Sequence, residues 1–153
     1  MDTKLIQTAL APLASWEARD LGLTASVLTE DFVLTGPAPE PLNKEAWLGF
    51  QAIHNAAFAD WKFNVKTVEV QSDDMVKVTI QITATHTGAY DVAKLGVPVP
   101  AIAPTGKQRT WPVEYFFLTL MDGKVSRVDV HNAPDGGVIG TLAWLGVQLP
   151  EMA

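Results

Sequence analysis

After Trp61 the hydrophobic period of this chain changes from 3.6 to 2, and that switch constrains the fold more than any other feature. Upstream, apolar residues recur at three- and four-residue steps: Leu5, Ile6, Ala9, Leu10, Leu13 and Trp16, then Trp47, Phe50, His54 and Phe58. That spacing lines one face of an α-helix. Downstream, apolar and polar residues alternate, as in a half-buried strand: Val76, Val78, Ile80 and Ile82 are interleaved with Lys77, Thr79, Gln81 and Thr83. Helices first and long antiparallel strands afterwards predict an α+β chain, with the helices packed on one face of a curved sheet.

Local signals divide the two halves further. Pro12 is expected to kink or split the first helix, Gly22 to end it, and Thr24 to cap a short second helix reaching Leu28. Phe32 to Thr35 reads as a strand stopped by Gly36-Pro37. Asn43 caps a helix running to about Phe58, with Glu45 in its first turn. Phe63, Val65, Val68 and Val70 form a strand, and Ser72-Asp73-Asp74 a turn. Gln108 to Leu120 reads as one long strand, Asp122-Gly123 as a tight hairpin turn into Val125–His131, and Val138 to Leu149 as a last helix. The proline-rich segments 36–41 and 97–104 are loops or edges.

With 153 residues, no repeat and no linker, the chain is expected to form one domain, 1–153. It contains no cysteine, which excludes a thiolate metal site and a cysteine nucleophile. Its 17 acidic and 11 basic residues give a net charge of −6, which argues against a nucleic-acid or anionic-membrane partner. No basic start followed by an apolar run opens the chain, so a signal peptide is not expected and the compartment is expected to be cytoplasmic.

Several short segments, in this order, resemble those of the SnoaL-like polyketide cyclases: Asp31-Phe32-Val33-Leu34-Thr35-Gly36-Pro37, Phe58-Ala59-Asp60-Trp61, Thr85-His86-Thr87-Gly88, Pro104-Thr105-Gly106-Lys107, Asp122-Gly123-Lys124-Val125 and Leu145-Gly146-Val147. That family belongs to the cone-shaped superfamily of nuclear transport factor 2, scytalone dehydratase, ketosteroid isomerase and limonene epoxide hydrolase. The resemblance implies a curved sheet wrapped round the N-terminal helices as a cone with an internal apolar pocket. It also implies proton transfer next to a carbonyl, or addition of water, without a cofactor. The sequence departs from the family in the long segment Ala89–Ala103, in having Gln108, Arg109 and Thr110 where an acidic residue often follows the PTGK segment, and in Asp129 near the place of a usual tryptophan.

The candidates for chemistry follow from position. Asp129 and His131 share a face of the last strand. They either form a base pair in the pocket or face water while Val128 and Val130 face the core. His86 ends a strand, as a pocket-wall residue or as a turn residue bonded to backbone. His54 lies on the Trp47, Phe50, Phe58 stripe, as a pocket residue or as a satisfied core histidine. On the strand 108–120, either the Trp111, Tyr115, Phe117 set or the Glu114 set faces the pocket; Tyr115 is a candidate oxyanion donor and Glu114 a candidate buried acid. The expected catalytic set is Asp129, His86, His131 and Tyr115, and the expected substrate-binding set Trp47, Phe50, His54, Trp111 and Phe117, with no metal and no cofactor. The expected function is a cyclase, isomerase or hydratase acting on a small apolar molecule. The alternative is a binding or accessory protein with the same cavity. A homodimer through the outer sheet face is expected, with Ala89–Ala103 as a lid or rim over the pocket.

Overall fold

A computed structural model describes residues 2–38 and 40–147. Among these, helix α1 spans Asp2–Glu17 and α2 Leu21–Val27, followed by β1 (Leu28–Thr35), β2 (Leu42–Asn43) and α3 (Lys44–Ala57). Then come β3 (Thr67–Ser72), β4 (Met75–Ile80), β5 (Thr83–Thr85), β6 (Gln108–Thr110), β7 (Glu114–Met121), β8 (Lys124–His131) and α4 (Gly137–Trp144). The main sheet has the order β2-β1-β8-β7-β4-β3, and β5 pairs with β6 in a separate two-stranded ribbon. Every pairing is antiparallel except β1 with β8, so the sheet is mixed at that one ladder.

The inner face of the sheet is apolar because the period-two positions Val76, Val78, Ile80, Phe116, Leu118, Val128 and Val130 all point to the helices and are buried. Helices α1 and α3 fill the concavity with Leu13, Trp16, Trp47 and Phe50. The corner after α3 turns on Phe58 and Trp61, both buried, while Asp60 accepts from the Thr85 amide at 2.7 Å and its hydroxyl at 2.8 Å. The sequence segment 58–61 thus ties the end of α3 to β5.

Asn43 caps α3 as expected, its Oδ1 accepting from the Ala46 amide at 2.9 Å. The Asp122-Gly123 turn has φ values of 53° and 76°, the left-handed pair that a two-residue hairpin needs. Several local expectations are corrected. Helix α1 continues through Pro12 without splitting. Helix α2 is capped by Asp20, whose carboxylate accepts from the Leu23 amide at 3.0 Å, while Thr24 is buried inside the helix against Ser15. The strand expected from Phe63 begins at Thr67, since Phe63 is buried beneath the sheet and Val65 is exposed. The strand expected over 108–120 is broken at Trp111–Val113, where Pro112 offers no N–H to a ladder. The last helix ends at Trp144; Pro39 and Leu149, which entered the loop and helix expectations, lie outside the described residues. Among the described residues, no helix is long and apolar enough to cross a membrane.

Candidate active site

An internal cavity lies between the inner sheet face, α1, α3 and α4. It is walled by Trp16, Trp47, Phe50, His54, Trp61 and Trp111, with Glu114 and Asn132 as its carboxylate and amide. The space open to the centre of a water molecule is about 40 Å³, room for roughly three waters. Its aromatic wall is continuous: the Trp16 ring lies 5.0 Å from Trp47 and 5.2 Å from Trp61, and Trp61 lies 5.3 Å from Trp111, centroid to centroid. A larger groove of about 470 Å³ opens on the other side of α3, lined by Ala46, Gly49, Ile53, Ala89 and Leu95. Phe50 borders both spaces.

Glu114 opens β7 with its side chain on the inner face, and the residue is only 3% exposed. Burial pushes its carboxyl up to about 7; the Arg109 charge opposes that rise and Asp135 adds to it. One carboxylate oxygen, Oε2, has no hydrogen-bond partner among the described residues. Gly136 stands beside it, and a Cβ there would lie 2.8 Å from Oε2. Arg109 is held away from a direct ion pair with Glu114 by its own contacts. It donates to the Asp135 carbonyl at 2.9 Å and lies 4.9 Å from the Trp111 ring centroid. Asn132 donates to the Gly36 carbonyl at 2.6 Å, which leaves its Oδ1 unpaired among the described residues.

His54 is fully enclosed. Its Nδ1 faces the Phe50 carbonyl at 2.8 Å, so that nitrogen carries the proton, and Nε2 accepts from the Tyr90 hydroxyl at 2.8 Å. Burial lowers its pKa to about 4 against the raising effect of the Phe50 carbonyl, and burial also raises Tyr90. With both nitrogens engaged, His54 is a neutral wall and an anchor for Tyr90, not a free base.

The structure brings together part of the expected site. Trp47, Phe50, His54 and Trp111 all line the cavity. Asp129, His131, Tyr115 and Phe117 do not, which corrects the catalytic set and one binding residue. They occupy the outer face, where Tyr115 pairs with His131 and Phe117 with Asp129 across β7 and β8. The Asp129 carboxylate accepts from Thr35 Oγ1 at 2.6 Å and from Arg127 Nε at 2.9 Å. Partial burial opposes its charge, but the Arg127 and Thr35 hydrogen bonds and the Arg127 and His131 charges prevail and hold its pKa low. His86 is buried behind the cavity wall, its ring 5.5 Å from Phe58 and its Nδ1 accepting from the Thr105 amide at 3.2 Å. Desolvation lowers its pKa against the Gly88 and Ile102 backbone. It fastens the segment before β6 and does not reach the cavity.

The expected lid is also corrected. No residue of 89–103 lines the cavity; Tyr90, Val92 and Val99 are buried, and Ala89, Asp91, Lys94 and Leu95 border the outer groove instead. The cavity is bordered by Pro37 and by Gly137, Val138 and Thr141 of α4. Thr141 fastens α4 by accepting from the Trp111 indole at 3.0 Å. Glu114, left open by the sequence as one parity of its strand, is placed by the pairing of β7 with β8. Val128 and Val130 fix the inner face of β8, and only the Glu114, Phe116, Leu118 parity of β7 continues that face.

Among the described residues, no cluster of histidine, aspartate and glutamate side chains is arranged to hold a metal ion.

Four helices and a mostly antiparallel curved sheet give the molecule the cone fold of the ketosteroid-isomerase-like and nuclear-transport-factor-2-like proteins. The chain belongs to the SnoaL-like domain family, whose model matches residues 10–128. It is similar to AclR, a proposed hydroxylase of Streptomyces galilaeus, with 25% identity, TM-score 0.68, and 95% of this chain and 86% of that one covered. A proposed SnoaL-like polyketide cyclase from Jannaschia sp. CCS1 aligns at 20% identity and TM-score 0.67, covering 84% and 85%. A protein of ketosteroid-isomerase-like fold from Catenulispora acidiphila aligns at 14% identity and TM-score 0.64, covering 94% and 93%. No protein of curated function matches this chain in sequence.

Proposed function

We propose that this protein is a cofactor-free acid–base catalyst of the cyclase or isomerase type, acting on a small apolar carbonyl compound in the internal cavity, with Glu114 as its base. The observation that carries this reading is the buried Glu114 carboxyl, pushed up to about 7, with one oxygen unpaired at the wall of an aromatic cavity. A base of that pKa is half ionised near neutrality, where proton transfer is most effective. Glu114 removes a proton from the carbon next to the carbonyl, the C–H electron pair moves into the new C=C bond, and the carbonyl π pair moves to its oxygen. In a β,γ-unsaturated substrate the resulting dienolate takes the proton back from Glu114 at its γ carbon, which is isomerisation; in a dicarbonyl substrate the enolate α carbon attacks the second carbonyl and the new alkoxide takes the proton back from Glu114, which is cyclisation. Family membership and the likeness to proposed polyketide cyclases support the same class. A ring-sized substrate exceeds the space for roughly three waters, so it enters by displacing α4 and the Pro37 segment at the cavity border. We further propose a homodimer through the outer sheet face, where Lys77 lies 4.8 Å over the Tyr115 ring and Tyr115 is 40% exposed.

The test is exchange of carbon-bound protons of cyclic ketones and enones for deuterium, followed by NMR with wild type and Glu114→Gln. Loss of about 10²–10⁴-fold in rate is expected for the variant. Equal rates for the two proteins would remove Glu114 from the chemistry. Ligand binding without exchange by wild type would favour a binding protein.

A further inference from the structure

The cavity wall carries unpaired donors as well as unpaired acceptors. The indole N–H groups of Trp16, Trp47 and Trp61 are buried and have no hydrogen-bond partner among the described residues. All of these residues line the cavity, and the Trp16 ring touches both of the others. Trp111 shows the contrast, since its N–H is already donated to Thr141. A buried N–H left without an acceptor is destabilising, so native structures rarely keep one without a reason. Here the donors come from α1, α3 and the corner after α3, whereas the unpaired acceptors, Glu114 Oε2 and Asn132 Oδ1, come from β7 and the segment after β8. The residues that carry the donors and the base therefore reach the cavity wall from different elements.

Resting on the reading of the cavity as a carbonyl site, we infer that the indole N–H groups of Trp16, Trp47 and Trp61 form its oxygen-binding subsite. They receive the substrate carbonyl oxygen and the negative charge that develops there as Glu114 takes the proton. The charge balance supports this division. Proton transfer moves one negative charge from the carboxylate to the oxygen, so the low-dielectric cavity gains no net charge. Donors fixed by packed rings need no reorganisation to receive it. The subsite selects planar, oxygen-bearing rings, because the same indoles supply both the stacking surface and the hydrogen bonds.

The test uses indole ¹⁵N-labelled protein and a matched pair of probes, cyclopentanone and methylenecyclopentane, which differ in whether the ring carries an oxygen acceptor. Trp→Phe variants assign the resonances. Cyclopentanone is expected to move the Trp16, Trp47 and Trp61 N–H signals downfield and leave that of Trp111 in place, and methylenecyclopentane to move them far less. Trp47→Phe and Trp61→Phe should each weaken cyclopentanone binding about three- to tenfold more than methylenecyclopentane binding, the worth of one hydrogen bond. Those two variants carry the test if Trp16→Phe, at the centre of the ring cluster, fails to fold. Unmoved N–H signals, equal affinity for the two probes, or no binding of cyclopentanone at its solubility limit would overturn the inference. The outcome is separable from the base assignment: Glu114→Gln should show the same N–H shifts with cyclopentanone even though its proton exchange is slowed about 10²–10⁴-fold.

Discussion

Replacing Glu114 by glutamine keeps the shape of the side chain and removes its titration, so its effect on stability should depend strongly on pH. The folded carboxyl titrates at about 7 against 4.5 for an ordinary glutamate. Between those two values the unfolded chain has released the proton and the folded chain retains it. Stability of the wild type therefore falls as pH rises through that window and levels off above pH 7. The displacement corresponds to about 3 kcal/mol. His54 has the opposite slope, because its folded pKa is about 4 against 6.5 ordinarily. Between those values the unfolded chain binds a proton that the folded chain excludes, so its contribution is present above 6.5 and is lost as pH falls toward 4, again by about 3 kcal/mol. From these two groups alone the wild type should be nearly flat between pH 4.5 and 6.5, since the slopes oppose. Glu114→Gln should expose the His54 slope, and its stability relative to wild type should rise by about 3 kcal/mol from pH 4.5 to 8. Urea denaturation at a series of pH values measures this. A difference between the two proteins that stays constant over that range would refute the idea that Glu114 is buried and protonated at mid-range pH.

Other perturbations test neighbouring features. Arg109→Gln removes the charge that opposes the rise at Glu114, so the pH midpoint of deuterium exchange should move upward; an unchanged midpoint would show that the two groups do not interact. Tyr90→Phe leaves His54 Nε2 without its donor and should cost about 1–3 kcal/mol, read by urea denaturation alongside the His54 ¹⁵N shifts; a stability equal to wild type would contradict the anchor. Gly88→Ala would drive a methyl into the Ala56 carbonyl, and a loss of about 1–3 kcal/mol is expected from such overpacking, checked by thermal melting. Sedimentation at micromolar concentration should show a dimer that Tyr115→Glu converts to monomer, and a monomeric wild type would end that proposal.

The sequence by itself determined the order of elements, because helix and strand periods, the Asn43 cap and the Asp122-Gly123 turn are local and each acts within a few residues. The family segments were legible as short residue patterns, but what Phe58-Ala59-Asp60-Trp61 does is not local, since Asp60 bonds Thr85 on β5. The sense of β7 was not local. Phe116 and Leu118 lie on one face and Tyr115 and Phe117 on the other, so alternation defines two apolar faces without saying which is concave. Pairing with β4 and β8 decided it, by joining Phe116 to Val78 and Val130 and turning Asp129 and His131 outward with Tyr115 and Phe117. That choice put Glu114, and not Asp129, on the cavity wall. Only the packed structure could also show that His54 has no free nitrogen, and that α4, rather than the segment 89–103, borders the cavity. Those facts rest on contacts between residues far apart in the chain, which no local period encodes.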